Sequence, residues 1–214
     1  MRTRTNWLPA SGVPTATLLL RHGETPMSVE KRYAGTSDVP LTDAGAGQAA
    51  AAAKRLGAAG LDIIVTSPLL RAQQTAAAVA SVSGADVVIE EGFRETDFGV
   101  WEGLTFAEVR ARWPDEMTTW LADPTVAPPG GESFAAVRAR VSAALDRVLG
   151  LYNERRVLIV SHVTPIKALI VRALLAPPAA LFRMHLDVAA LCEIDWYSDG
   201  PAVLRSFNDT AHLI

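Results

Sequence analysis

The residues best placed by type and spacing to do chemistry sit where two apolar runs end. Thr17-Leu18-Leu19-Leu20 breaks into Arg21-His22-Gly23-Glu24-Thr25, and Val157-Leu158-Ile159-Val160 breaks into Ser161-His162. A short, unbroken apolar run predicts a strand buried on both faces of a parallel sheet, and such strands carry functional groups at their C-terminal edge, where open α/β sheets bind ligands. Two histidines far apart in sequence then meet if the strands are neighbours. With Arg21 beside them, that edge is suited to an anion. Gly23 falls where the backbone must turn sharply and approach a ligand closely. A lone histidine after a strand is commonly structural, so the argument for chemistry rests on the pair.

Other elements must position these groups. Residues 15–20 and 61–66 read as buried strands, with a short strand at 86–89. Ser67-Pro68 predicts a helix start, the serine capping and the proline in the first turn; Arg71 then lies in that turn, where its guanidinium can reach back to the strand edge and the free N–H groups add positive charge. A helix is expected from Glu24 or Thr25, then a surface loop over residues 27–40, then a helix capped by Thr42 and running through the alanines of 49–53. Residues 91–103 mix aromatics, carboxylates and glycines, unlike a passive connection; Asp97 and Glu102 are read there as holding loop amides and capping the next helix. Residues 105–123 are helical in pattern, broken at Pro114, and with the Pro- and Gly-rich 123–131 they form an insertion whose Trp113, Met117 and Trp120 could wall a pocket or simply pack. Residues 132–152 form an amphipathic helix, 163–175 a helix that tolerates Pro165 in its first turn, and 191–197 with 202–207 a hairpin around Ser198-Asp199-Gly200-Pro201. This alternation predicts an α/β fold, a three-layer α/β/α sandwich around a mainly parallel, mixed sheet.

At 214 residues and half apolar, the chain can bury one core. Residues 1–14, with Pro9, Gly12 and Pro14, read as a linker or N-terminal arm cut from a longer polypeptide, and 15–214 as one domain. A net charge of −3 without a basic run argues against nucleic acid and membrane surfaces as partners. No apolar stretch reaches the roughly 18 to 20 residues that span a bilayer, and there is no signal-peptide core, so a cytoplasmic location is expected. The single cysteine, Cys192, is read as a small core residue. No histidine pair stands at metal-ligand spacing, no aspartate cluster follows a strand, and no P-loop is present, so no metal and no cofactor are expected.

Three segments, Arg21-His22-Gly23-Glu24-Thr25, Ser67-Pro68-Leu69-Leu70-Arg71-Ala72-Gln73-Gln74-Thr75-Ala76 and Ser161-His162, resemble in this order the signatures of the histidine phosphatase (phosphoglycerate-mutase-like) superfamily. Residues 98–103, the short length and the terminal Asn208-Asp209-Thr210-Ala211-His212-Leu213 resemble α-ribazole phosphatases, in particular the C-terminal phosphatase domain of actinobacterial proteins that carry a ribonuclease H domain upstream. The resemblance implies a metal-independent phosphomonoesterase acting on a small-molecule phosphate ester, on α-ribazole 5′-phosphate or as a broader acid phosphatase. It implies that His22 accepts the phosphoryl group, that Arg21, Arg71 and a protonated His162 hold its oxygens, and that Glu95 serves as the acid. Ser28 stands where many members have asparagine, and Val163 where glycine is common; both remain candidate phosphate contacts, Val163 through its backbone N–H. A phosphoglycerate mutase and a catalytically silent phosphate-binding module are the alternatives, and a homodimer is an assembly the reading leaves open.

Overall fold

A computed structural model of the chain describes residues 12–214. Most of the expected N-terminal arm, residues 1–11, therefore lies outside the described residues. Among the described residues, six strands form one sheet in the order β3-β2-β4-β1-β5-β6. β1 (Thr15–Arg21) and β4 (Arg156–Ser161) are central neighbours, parallel and in register from Ala16 opposite Arg156 to Arg21 opposite Ser161. β2 (Ile63–Thr66) and β3 (Val87–Ile89) continue the parallel half, and β5 (Leu191–Trp196) with β6 (Ala202–Asp209) forms the antiparallel hairpin on the other side.

The apolar runs bury both faces because their alternate residues serve different layers. Leu18, Leu20, Leu158 and Val160 pack against α2 (Asp43–Leu56) and α3 (Leu70–Ser83), while Leu19, Val157 and Ile159 pack with Val141, Leu145 and Leu169 of α6 (Phe134–Leu151) and α7 (Val163–Ala173). A third cluster lies over the sheet edge. There Trp120 and Met117 of α5 (Pro114–Ala122) and Val109 of α4 (Phe106–Arg112) pack with Phe98, Trp101, Phe134 and Leu181. The insertion thus packs and walls space at once. The break expected at Pro114 is present: α4 ends at Arg112 and Pro114 opens α5, since its fixed φ suits a first helical position.

The helix after β1 starts where expected, as a single turn, α1 (Pro26–Val29), capped by Thr25. Two other local expectations are corrected. Ser67 does not cap α3. The residue at the N-cap is Leu69, without a side-chain cap, because the Ser67 hydroxyl is held 2.7 Å from His162 Nε2. Asp97 and Glu102 do hold loop amides: Asp97 accepts from Gly99 N–H, and Glu102 accepts from the N–H groups of Gly35 and Thr36 and from the Ser37 hydroxyl. The cap of α4 is instead the reciprocal pair Thr105 and Glu108.

Candidate active site

Because Arg21 pairs with Ser161 at the end of the ladder, the next residues on β1 and β4 are His22 and His162. The His22 N–H donates to the Ser161 carbonyl, and the two rings lie with centroids 5.1 Å apart. Both rings are buried, at 6% and 0% exposure. His22 Nδ1 lies 2.7 Å from the Gly23 carbonyl, which can only accept, so Nδ1 carries the proton and Nε2 keeps its lone pair. Burial, then the charges of Arg21 and Arg71, hold the His22 pKa well below 6.5 against the smaller opposing effect of that carbonyl. His22 is therefore a neutral base at neutral pH.

His162 is arranged in the same tautomer, with Nε2 instead of Nδ1 engaged by the protein. The Ser67 hydroxyl accepts from the Leu69 N–H at 3.3 Å and donates to His162 Nε2, which leaves the ring proton on Nδ1. Burial first, and then Arg71, His22, Arg21 and Arg140, lower the His162 pKa well below 6.5. That direction favours a neutral ring, in contrast to the protonated His162 that the resemblance implies, and the Nδ1–H is a donor in either form.

Arg71 is 1% exposed and does not lie free along the helix. Its two terminal nitrogens donate to the carbonyls of Ala34, Gly35 and Ser37 at 2.8 to 3.0 Å, so the guanidinium ties the loop after α1 to α3. Arg21 donates to the Leu186 carbonyl at 2.7 Å. Burial lowers both arginine pKa values, that of Arg21 to about 10, which leaves them charged. Three buried donors here, Arg21 Nε, Arg71 Nε and His162 Nδ1, have no acceptor among the described residues. Buried N–H groups are almost always paired, so three orphans around His22 describe a place for an anion's oxygens.

Glu95 is 6% exposed; one carboxylate oxygen accepts from Thr96 N–H at 2.8 Å, the other from Thr164 N–H in the first turn of α7 at 3.4 Å. Arg21, His22, Ser28, Arg32, Tyr33, Glu95, Val163 and Thr164 line a cavity of about 180 Å³. Val163 opens α7, so its N–H has no helical carbonyl to donate to, and the helix N-terminus adds positive potential. Ser28 lines the same cavity, but its hydroxyl already donates to the Thr25 carbonyl and accepts from the Thr25 N–H, closing the cap of α1. The structure therefore gathers His22, His162, Arg21, Arg71, Glu95, Ser28 and Val163 at one sheet edge.

Sequence reasoning missed Ser67 as the partner of His162, and Arg140 as the support of Glu95. Arg140 donates to the carbonyls of Gly92, Arg94 and Glu95 and pairs with Glu132 at 2.8 Å. A signal for it existed: Arg140 falls within the apolar stripe of α6, between Val137 and Ala144.

Comparison with known proteins identifies relatives in sequence and in fold. Among curated relatives, the bifunctional protein Rv2228c of Mycobacterium tuberculosis is 45% identical over 212 residues, covering 99% of this chain and 58% of that protein. The chain thus spans little more than half of that relative. Phosphoserine phosphatase 1 of Hydrogenobacter thermophilus is 32% identical, with 92% and 93% of the two chains covered. A Cronobacter sakazakii protein proposed as the phosphoglycerate mutase GpmB is 34% identical, with 91% and 93% covered. Among solved structures, YhfR of Bacillus stearothermophilus superposes with a TM-score of 0.87 at 31% identity, covering 94% of this chain and all of that one. The mycobacterial glucosyl-3-phosphoglycerate phosphatase Rv2419c bound to VO3 gives 0.84 at 31% identity over 92% and 100% of the chains. An Escherichia coli K-12 protein proposed as an alpha-ribazole-5'-P phosphatase gives 0.83 at 30% identity over 92% and 97%. A model of the histidine phosphatase superfamily (branch 1) matches residues 17–210, and the chain belongs to that superfamily.

Proposed function

We propose that the chain is a phosphoric monoester hydrolase that passes the phosphoryl group through His22. The observation that carries the reading is the His22 tautomer, a neutral imidazole with its Nδ1 proton fixed on Gly23 and Nε2 left free, beside three orphaned donors. His22 Nε2 attacks phosphorus, the bond to the ester oxygen breaks, and Glu95, entering the step as the carboxylic acid, gives its proton to the departing alkoxide and is left as the carboxylate. Arg21 Nε, Arg71 Nε, His162 Nδ1 and the Val163 N–H take the phosphoryl oxygens, with Ser28 at the rim. A phosphate dianion beside His162 favours its protonation, which gives the charged form the resemblance implies. Water, activated by Glu95, then attacks the phosphohistidine, the P–N bond breaks, and phosphate leaves. α-Ribazole 5′-phosphate is our candidate substrate, supported by the likeness of the Escherichia coli structure. The mycobacterial relative, named bifunctional and spanned over 58% of its length, supports reading the chain as one part of a longer protein, and an upstream ribonuclease H domain rests on the resemblance in sequence alone.

The test is phosphate release by the purified chain from p-nitrophenyl phosphate, α-ribazole 5′-phosphate and 3-phosphoglycerate. The expected result is release from the first two, loss of activity in His22→Ala with the fold retained, and an acid-labile phosphoprotein after rapid quenching of the wild type. Isomerisation of 3-phosphoglycerate without phosphate release would make the protein a mutase, and no turnover with retained phosphate binding would make it a silent module.

A further inference from the structure

Glu102 lies on the connection between Glu95 and α4 and does not line the phosphate cavity. We propose that it is a positioning residue for phosphoryl transfer, whose carboxylate fixes the Arg71 guanidinium through the two peptide units that join Ala34, Gly35 and Thr36. The proposal rests on the hydrolase reading above and names what holds one of its phosphate donors in place. Glu102 Oε1 accepts from the Gly35 N–H at 2.9 Å and the Thr36 N–H at 3.1 Å, and Oε2 accepts from the Ser37 hydroxyl at 2.8 Å. Arg71 takes the opposite side of the same segment. Its Nη2 donates to the carbonyls of Ala34 at 2.9 Å and Gly35 at 3.0 Å, and its Nη1 to that of Ser37 at 2.8 Å.

The Ala34 carbonyl and the Gly35 N–H belong to one peptide unit, and the Gly35 carbonyl and the Thr36 N–H to the next. In a trans peptide these groups point to opposite sides, and each unit carries a dipole of about 3.5 D. A carboxylate at the N–H end and a guanidinium at the carbonyl end are both aligned with that dipole, so each strengthens the hold of the other. Every bond in the chain is assisted by a charge, which makes it stronger than a neutral one. The fit is close. A Cβ on Gly35 would lie 2.2 Å from Glu102 Oε1 and 2.1 Å from the Thr96 carbonyl oxygen, so glycine is what lets the carboxylate come this near. The segment meets α3 a second time where Asp38 accepts from the Leu70 N–H at 2.6 Å, supplying the side-chain cap that Leu69 lacks. With both terminal nitrogens of Arg71 tied to carbonyls, Nε, buried and without an acceptor among the described residues, is the atom offered to a phosphoryl oxygen. Its aim depends on those carbonyls staying in place, and Glu102 holds their far side.

Neutralising Glu102 separates this role from a plain Coulombic one by sign. Loss of a nearby negative charge raises the local positive potential and by itself tightens the binding of an anion, whereas loss of a support for Arg71 weakens it. Glu102→Gln keeps the shape: its amide oxygen can take the Gly35 and Thr36 N–H groups and its NH2 can donate to the Ser37 hydroxyl, so the change is one of charge. Titration of inorganic phosphate is expected to show an affinity about 10-fold weaker in Glu102→Gln, with kcat/KM about 10-fold lower on p-nitrophenyl phosphate and on an alkyl phosphate alike, because the transferred group is common to both. Beside Arg71→Met the same change is expected to cost nothing further, which is the coupling that a residue acting through Arg71 must show. Unchanged or tighter phosphate binding in Glu102→Gln, or a loss that persists in full beside Arg71→Met, would overturn the proposal. Ser37→Ala removes one of the Glu102 bonds at a partly exposed position and is expected to weaken phosphate about 2- to 5-fold. It decides the matter if Glu102→Gln does not fold, and wild-type affinity in it would overturn the proposal. If the wild type binds phosphate but turns over no ester, the hydrolase reading fails and the phosphate titrations still judge Glu102; no phosphate binding by the wild type overturns both.

Discussion

His22 and His162 owe their neutrality to burial and to the arginines around them, and that has a cost at acid pH. In the unfolded chain each histidine takes up a proton near its ordinary pKa of about 6.5, while in the fold both pKa values are depressed. Between 6.5 and the folded values the unfolded state binds more protons, so stability is present above pH 6.5 and is lost as pH falls. Each histidine can contribute a slope of up to about 1.4 kcal/mol per pH unit in that window. The expected outcome is a melting temperature that falls between pH 7 and pH 5, with a shallower fall in His162→Asn; identical pH profiles for variant and wild type would refute it. Saturating phosphate, which pairs with a protonated His162, is expected to flatten the wild-type profile as well. Glu95 and Arg71 separate by leaving group. An alkoxide needs a proton in the transition state and p-nitrophenolate does not, so Glu95→Gln should cost about 10²- to 10⁴-fold on an alkyl phosphate and far less on p-nitrophenyl phosphate. Arg71→Ala should penalise both alike, because it acts on the transferred group and also releases the carbonyls of Ala34, Gly35 and Ser37. The measurement is kcat/KM for each variant on each ester, and equal losses in Glu95→Gln would remove that residue from proton transfer.

At the scale of elements, the acid's position depends on α6. Arg140 reaches from the buried side of that helix to three carbonyls of the turn ending at Glu95, and Glu132 completes its pairing. Arg140→Met keeps much of the apolar stem but frees that turn. It is expected to lower kcat about 10-fold or more on alkyl phosphates, with KM little changed, because a misplaced acid acts on the transition state and not on binding; a rise in KM alone would assign Arg140 to substrate binding. Strands, helix periodicity and the capping role of Thr42 were legible in the sequence, because apolar spacing and cap chemistry are local signals. So was the meeting of His22 and His162, since two strands ending alike at one edge leave few other arrangements. Ser67 was misread because its local signal, a serine before a proline, is the same whether its hydroxyl caps a helix or serves a histidine 95 residues away. The ties of Arg71 and Arg140 to loop carbonyls were not legible for the same reason. A backbone acceptor has no side-chain signature, and only the fold decides which carbonyls an arginine meets.

Across the whole molecule, the chain's last residues reach back to the catalytic edge. Asn208 exchanges two hydrogen bonds of 2.8 Å with Asp187: its carbonyl oxygen accepts from the Asp187 N–H, and its amide donates to the Asp187 carboxylate. His212 Nε2 is 3.0 Å from the Ala189 carbonyl, and Asp209 pairs with Arg55 of α2, which lowers the Asp209 pKa to about 2. The segment they hold, 186–190, supplies the Leu186 carbonyl that fixes Arg21 and the Ala189 N–H that donates to the His22 carbonyl. Asn208 sits at φ +52°, a conformation asparagine tolerates better than most residues, so the geometry of this clamp is written into one side chain. Removal of residues 208–214 leaves the central strands β1, β2 and β4 and both helical layers intact. The truncated chain is therefore expected to fold with a modest fall in melting temperature, while phosphate binding weakens about 10-fold or more as Arg21 loses its fixed carbonyl. Asn208→Gly, which keeps the backbone conformation but loses the side-chain bonds, should reproduce the binding defect in part, and Asn208→Ala should add a stability loss of about 1 kcal/mol for the strained φ. Titration of inorganic phosphate into each variant, beside its thermal unfolding curve, reads both effects. Wild-type phosphate affinity in the truncated chain would show that Arg21 is held without the clamp, and that the C-terminal segment closes the sheet without serving the site.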